Sequence, residues 1–313
     1  MKRGLKLLGC FLVCAIMLSG IAFATANEND VEYLCVYSCE TGESQIIRAD
    51  DFIAQNKRRY GKTMQNDSSD MSYPAIPPEN GPAWAKQNPI APQYVYGEDT
   101  KWTECNPYIW GVASITAIFE DGHREEGTAF VFAYNALATA AHVVYNSDHG
   151  KQCKEIEISC SRNGNSYPYG TIKSSYVITS ESYQAGYMGT NNDYAIIVTE
   201  EEIGKETGIF GFKNKGAYYG QQVESVAYPH FLDNGKNVLG NYKQYHDAGK
   251  ITKVTPDGKI VTHRLDTSVG SSGGPLFASE YRVVGIISSE APSEGNKATG
   301  IVDTLYALMS SYR

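Results

Sequence analysis

The sequence predicts an all-β fold closed by a short C-terminal helix, and three observations carry that prediction. From about Val95 onward, apolar runs of strand length recur, rich in Val, Ile, Thr, Tyr and Phe and many bounded by Gly, Asn or Asp. Helical periodicity is scarce until the end of the chain, where Val302, Leu305, Leu308 and Met309 share one face of Ile301–Tyr312. Tyrosine is abundant, 23 of 313 residues, which suits the half-exposed strand and rim positions of a β protein. Many short strands punctuated by turn residues make a sandwich or a barrel.

The first 26 residues stand outside that fold. Lys2, Arg3 and Lys6 make a basic start, Leu7 to Phe23 is almost wholly apolar, and Ala24-Thr25-Ala26 is a small-x-small cleavage pattern. This is the layout of a secretory signal peptide, with an apolar run too short for a membrane anchor. Export with cleavage near Ala26 is expected, giving an extracellular protein with no membrane association after cleavage. The whole chain has 27 Lys+Arg against 35 Asp+Glu, a net charge of −8, and loss of the three basic residues takes it to −11. With 42% hydrophobic and 20% charged residues the composition is globular rather than disordered. The acidic balance argues against a nucleic-acid partner, which needs a basic face.

Residues 27–94 read as a pro-segment and linker. Val31 to Phe52 has the pattern of a small strand pair and a helix, and Asn56 to Asp70 is polar and charged. Six of the chain's twelve prolines follow: Pro74, Pro77, Pro78, Pro82, Pro89 and Pro92. Proline at that density blocks helix interiors and central strands, so the segment is extended. A signal, a short unit and an extended linker is how a secreted zymogen is laid out, with an activating protease as a partner. Cys10 and Cys14 leave with the signal, and Cys35, Cys39, Cys105, Cys153 and Cys160 remain. Five is odd, so at least one stays unpaired. Export permits disulfides; Cys153–Cys160 is the expected local pair, with Cys35–Cys39 a second candidate. No CxxC pair and no HExxH motif occurs, so neither zinc nor any other cofactor is expected.

Residues 95–313 carry the strands: Trp110–Phe119, Thr128–Tyr134, Ala136–Val144, Ile156–Ser159, Tyr194–Val198, Gln222–Ala227, Ile260–Arg264, Gly274–Phe277 and Arg282–Ser288. Between two of them lies the sharpest motif, Gly270-Ser271-Ser272-Gly273-Gly274-Pro275. Glycines around a serine let the backbone bend and aim its amides inward. A serine nucleophile needs such amides, because N–H groups must converge on the oxyanion formed when Oγ attacks a carbonyl. Ser272 is the candidate nucleophile, and the N–H groups of Gly270 and Ser272 are the candidate oxyanion donors. The string also fits the nucleophile elbow of α/β-hydrolases, but that fold needs its histidine after the serine. All six histidines precede Ser272 here, so that reading fails on order.

His, then Asp, then Ser is the order that survives. His142 follows the small residues Ala138-Thr139-Ala140-Ala141, which allow a general base to pack close to its nucleophile. Asp193 ends the turn Asn191-Asn192 just before the apolar run Tyr194-Ala195-Ile196-Ile197, a suitable place for the acid that orients an imidazole.

The segments ATAAH, NNDYAII and GSSGGP, in that order and 51 and 79 residues apart at their key positions, resemble the trypsin/chymotrypsin-like serine proteases. Gly127-Thr128-Ala129-Phe130-Val131, Ala227-Tyr228-Pro229, Asp266-Thr267 and Val284-Gly285-Ile286 are similar to the bacterial glutamyl-endopeptidase branch. The resemblance spans about Val95 to Arg313. It implies two antiparallel six-stranded β-barrels with a C-terminal helix, the site between them, and His142 and Asp193 on the first barrel with Ser272 on the second. It implies hydrolysis of peptide bonds in proteins or peptides through an acyl-enzyme, by a monomer. Val95-Tyr96-Gly97-Glu98-Asp99 resembles the mature start of those relatives. Ser271 stands where animal members keep an aspartate that pairs with the new N-terminus, so activation in that form is excluded.

The resemblance also places a primary substrate pocket, with Asp266, Thr267 and Ser268 at its base and Ile287, Ser288 and Ser289 along one wall. Ile287 stands where glutamyl endopeptidases carry a carboxylate-binding histidine, and Asp266 stands where trypsin keeps the acid that binds Lys or Arg. The expected preference therefore leans toward basic side chains and away from Glu. The alternative function is a catalytically idle trypsin-like fold acting as a secreted binding module, a state reached when triad residues are lost; here all three are present. A surface-interaction protein is suggested only by the linker and the tyrosine count.

Overall fold

The computed structural model describes residues 31–60, 71–78, 102–105, 109–233, 236–239, 242–289 and 295–313. The signal segment, the prolines from Pro82 to Pro92 and the Val95–Asp99 start lie outside the described residues. Glu32–Arg313 forms one compact unit.

The chain enters as a hairpin, β1 (Tyr33–Ser38) and β2 (Ser44–Arg48), followed by helix α1 (Ala49–Tyr60) and the short strands β3 (Ser72–Tyr73) and β4 (Thr103–Glu104). Next come β5 (Val112–Ile118), β6 (Arg124–Ala133), β7 (Ala136–Thr139), the helical turn α2 (Ala141–Val144), the small pair β8 (Tyr145–Asn146) and β9 (Lys151–Gln152), and β10 (Glu155–Cys160). β11 (Ile172–Ser180), the turn α3 (Glu181–Gln184) and β12 (Ala195–Thr199) complete this half. Helix α4 (Ile203–Thr207) and β13 (Gly211–Lys213) cross to the second half. That half holds β14 (Gln222–Ala227), the hairpin β15 (His230–Asp233) and β16 (Lys236–Leu239), β17 (Tyr245–Val254), β18 (Ile260–His263), β19 (Pro275–Ala278), β20 (Arg282–Ser289) and β21 (Asn296–Gly300). Helix α5 (Asp303–Ser310) ends the chain.

Each half closes into a six-stranded antiparallel barrel. The first runs β10-β5-β6-β7-β12-β11 and shuts where Ile158 of β10 faces Ile172 of β11. The second runs β19-β14-β17-β18-β21-β20 and shuts where β19 pairs with β20. Closure pairs the first and last strands of each barrel over part of their length, which shortens the open sheet edges.

Strand β6 shows why the sequence chooses this architecture. Its alternating side chains serve two cores, because the strand is buried on both faces. Ala129 and Val131 point into the first barrel, whereas Phe130 and Phe132 point into a second apolar layer. That layer also holds Phe210, Phe212, Phe277, Leu305, Leu308 and Met309, so it packs against α5. Each such phenylalanine, fully buried, contributes roughly 1.5–3 kcal/mol of transfer free energy. The helical face read at Leu305, Leu308 and Met309 is the buried face of α5, at 0–3% exposure.

The strand pair and helix expected within Val31–Phe52 are present as β1, β2 and α1, and they join the folded body. β1 pairs with β11 over Leu34↔Ser180 to Ser38↔Tyr176.

The expected Cys153–Cys160 disulfide is absent; both thiols are free and buried, as are Cys35 and Cys105, with Cys39 half-buried. The reason is the conformation of the intervening chain. Nearly all of it is extended strand β10, which at ~3.4 Å per residue separates its ends by roughly 20 Å. A disulfide needs Cα atoms about 5.5 Å apart. Cys35 lies within β1 and Cys39 just past its end, so the second candidate is also unformed. Burial pushes the Cys160 thiol up to about 12, which keeps it protonated.

Candidate active site

Strand β7 ends at Thr139, and the chain turns through two alanines into α2, which carries His142. The small residues matter because this corner is fully buried: Thr139, Ala140 and Ala141 are each 0% exposed. His142 itself is half-buried, with its side chain 37% exposed. Its Nδ1 lies 2.8 Å from Asp193 Oδ2, and its backbone N–H donates to Asp193 Oδ1 at 2.9 Å. The carboxylate accepts from Nδ1–H, which leaves Nε2 as the lone-pair nitrogen available to take a proton.

Asp193 follows a short turn at Thr190–Asn192 and is buried. Two residues of the second barrel hold it. Ser288 Oγ donates to Asp193 Oδ2 at 2.5 Å. Thr299 Oγ1 donates to the backbone carbonyls of Thr190 and Asp193, at 2.6 and 2.9 Å. Burial alone would raise the Asp193 pKa, but the His142 charge and the hydrogen bonds from His142 and Ser288 outweigh it, and the carboxyl is held below its ordinary value. Burial would likewise lower the His142 pKa, but the Asp193 charge and hydrogen bond outweigh it and raise the imidazole above its ordinary value.

Ser272 sits half-buried in the turn entering β19. Gly270 and Gly273 both take positive φ, 90° and 85°. At Gly273 a Cβ would also run into Thr139 Oγ1 and Thr128 O, so the serine turn lies directly against the end of β7. Thr128 ties the two barrels together here. Its N–H donates to Ser272 O at 2.9 Å, and its Oγ1 donates to Gly270 O at 2.7 Å while accepting from Tyr228 N–H at 3.0 Å. Thr139 Oγ1 donates to Thr128 O at 2.7 Å, three residues before His142. Ser272 and His142 are thus held to the same pair of strands.

Inside the loop, Ser271 is buried and consumed locally. Its Oγ donates to Ser268 O at 2.5 Å and accepts from Ser268 N–H at 3.1 Å. Gly273 N–H donates to Ile287 O at 2.8 Å, and Gly274 N–H to Ser271 O at 3.0 Å. Among the described residues no backbone carbonyl accepts from the N–H of Gly270 or Ser272. Two unspent amides in a glycine-bent turn are what an oxyanion site needs.

The residues expected in the substrate pocket separate. Asp266 is exposed, with its N–H donating to the buried Asp247 carboxylate at 2.6 Å. Thr267 is half-buried beside it. Ser289 is exposed, and its Oγ lies 3.3 Å from Thr190 Oγ1. Side chains alternate along β20, so Ile287 is turned into the interior of the second barrel at 2% exposure, packed in one cluster with Leu276 and Ala298. The same alternation sends Ser288 to Asp193 rather than to an open wall. Sequence reasoning did not find the roles of Ser288, Thr299 or Thr128 as donors; Thr128 was visible only as part of a matching segment. Among the described residues no group of three or more His, Cys, Asp or Glu is arranged to hold a metal ion.

Comparison with known proteins bears on the family and the fold. The trypsin-like peptidase domain family matches residues 127–286, just over half of the chain. Glutamyl endopeptidase of Bacillus licheniformis is 31% identical over 151 residues, 48% of this chain and 44% of that protein. A protein of Bacillus subtilis named an extracellular metalloprotease is 34% identical over 86 residues, 28% of this chain and 27% of that protein. The chain therefore spans less than half the length of these curated relatives. Among solved structures, a Glu endopeptidase in complex with MPD superposes with a TM-score of 0.56 at 19% identity, covering 69% of this chain and 97% of that one. A thermostable serine protease from an extremophilic microorganism superposes with a TM-score of 0.52 at 16% identity, covering 64% of this chain and 94% of that one. At such identities these two likenesses show the fold.

Proposed function

The chain belongs to the trypsin-like peptidase family, and on that premise we propose that it is a secreted serine endopeptidase that cuts proteins or peptides through a His142–Asp193–Ser272 triad. The observation that supports this most is His142, locked to Asp193 by one imidazole and one backbone hydrogen bond beside a glycine-bent serine turn with two unspent amides. In this reading His142 Nε2 takes the Ser272 hydroxyl proton as Oγ attacks the substrate carbonyl. The tetrahedral oxyanion is met by the N–H groups of Gly270 and Ser272. Asp193 holds the imidazole in the correct tautomer and stabilises its cation without taking the proton. His142 then protonates the leaving amine, and water releases the acyl group by the same steps in reverse.

The domain division read from sequence is kept as part of the proposal: a signal at 1–26, a leader and linker at 27–94 and the protease region at 95–313. Export follows from the signal pattern and activation by a second protease from the proline-dense linker, with the enzyme acting as a monomer. At the cleaved bond the exposed Asp266 carboxylate favours a cationic side chain and opposes Glu by like charge. The experiment is labelling of the exported protein with a fluorophosphonate, which reacts with activated serines. Labelling in the parent and none in Ser272→Ala is the expected result. Labelling at another residue would remove the triad, and no labelling in any form would leave the binding-module reading.

A further inference from the structure

The described parts of the leader, residues 32–60 and 71–78, are built into the body through contacts of four kinds. The first is sheet extension. On one side β11 is paired with β10 only at Ile172 and Lys173, and β1 takes over that edge from Tyr176 to Ser180. Without β1 half of a buried strand would present an open edge. The second is apolar burial. Leu34, Ala49 and Ile53 are at most 8% exposed and share one cluster with Ile178, Leu305, Met309 and Tyr312. The third is aromatic and polar contact with the end of the chain: Tyr60 stacks on Tyr312 at 5.4 Å, and Asn56 Nδ2 donates to Ser311 Oγ at 3.3 Å.

The fourth contact is a groove shaped to fit. β3 pairs with β13, and Tyr73 stacks on Phe212 at 4.8 Å. Ile76 and Ile209 exchange both backbone hydrogen bonds, at 2.9 and 2.8 Å. The body keeps glycine where the leader crosses closest. A Cβ at Gly211 would stand 2.5 Å from Tyr73 O, and one at Gly208 would stand 2.7 Å from Ile76 O. Arg313, 2% exposed, spends its guanidinium on Phe132 O, Phe210 O and, at 2.7 Å, on leader carbonyl Pro74 O. Taking the leader away would strip a partner from a buried cation.

The leader also touches the element beside the site. Strand β1 of the leader packs against α3. Tyr145 OH donates to Gln184 O at 3.2 Å, and Tyr183 packs with Tyr145 and with Ala141, the neighbour of His142. So α3 is held between the leader and the histidine turn.

We propose that, when the linker between Pro78 and Trp102 is cut, the leader is not released as an inhibitor but stays docked as a non-covalent light chain that supports activity. This rests on the proposed protease reading for its activity readout, whereas retention is measured without it. The experiment places a site-specific protease recognition sequence within residues 79–101 of the full chain, cuts it completely, and follows the two pieces by size exclusion and native mass spectrometry. Expected is a 1:1 complex after cutting that labels with fluorophosphonate at least as fast as the uncut chain. Leu34→Asp with Tyr73→Ala, cut in the same way, should shed the leader and lose at least tenfold in labelling rate. Separate elution of the parent's pieces would overturn retention. Labelling that rises when the leader is shed would overturn the supporting role and restore an inhibitory one. Co-elution without labelling in any form would keep retention and remove the protease reading instead.

Discussion

The two barrels supply the site in different currencies. The first delivers side chains: His142 and Asp193, bonded to each other. The second delivers backbone: the Ser272 turn, its two unspent amides and the bent glycines on either side. Side chains are positioned by hydrogen bonds that a point mutation removes one at a time. A backbone turn is positioned by its whole loop, in which Ser271, Ser268, Ile287 and Thr128 each hold one strand of it. The contrast predicts that damage to the first barrel's share is graded, and that the second barrel's share fails through its nucleophile or through the loop's anchors.

The largest expected effect is Ser272→Ala, with kcat falling by roughly 10⁶-fold while the fold persists, leaving only the contribution of the oxyanion site and binding. Single-turnover hydrolysis with circular dichroism on the same sample checks both halves, and parent-like turnover would show that another residue attacks. Asp193→Asn is expected next, at about 10⁴-fold in kcat, because the amide cannot keep the imidazole in the required tautomer.

The same pair sets the pH dependence. His142 must be neutral to accept the proton, and its pKa is raised in the folded protein, so activity should climb with pH and half-rise above the ordinary imidazole value of about 6.5. In Asp193→Asn the main raising charge is gone and only the weaker Glu125 charge still opposes desolvation, so the residual activity should half-rise at lower pH than in the parent. A kcat/KM profile of both proteins decides it; an unmoved acid limb would detach His142 from Asp193 in function.

Thr128→Val keeps the shape and the backbone bond to Ser272 O but removes the hydroxyl that links Gly270 O to Tyr228 N–H. A fall of about 10²-fold in kcat with KM little changed is expected, the scale of a misplaced oxyanion donor. A change confined to thermal stability would make Thr128 a structural tie only. Asp266→Ser is the smallest: roughly tenfold lower kcat/KM on Lys and Arg peptides, with little change on apolar ones. A peptide library read by mass spectrometry measures it, and dominant cleavage after Glu in the parent would reverse the preference.

How much of this was legible in the sequence depends on the distance over which each signal acts. Strand-length runs and the α5 face were readable because burial of a local pattern leaves its period in the chain. His142 and Asp193 stood out because the chemistry admits few residue types, and the structure sets these two in hydrogen-bond contact. Ser288 and Thr299 did not, since a serine or threonine on a strand looks the same whether its hydroxyl meets water or a carboxylate or carbonyl about a hundred residues away. The leader shows the same limit from the other side. Its hairpin and helix were visible as elements, yet nothing local to Leu34 or Tyr73 says that β11 and β13 have edges waiting for them. The Cys153–Cys160 expectation failed because proximity in sequence was taken for proximity in space, and an extended strand makes the two opposites.

The bonds from Ser288 and Thr299 to the Asp193 segment have a consequence in time. A ribosome delivers this chain N-terminus first, so His142 and Asp193 exist long before the hydroxyls that fix the aspartate, and before Ser272, the proposed nucleophile. Those hydroxyls lie 95 and 106 residues beyond Asp193, and Arg313, which clamps the layer between the barrels, follows them. A chain that has not yet folded these later strands therefore carries His142 and Asp193 without the bonds that align them in the proposed site.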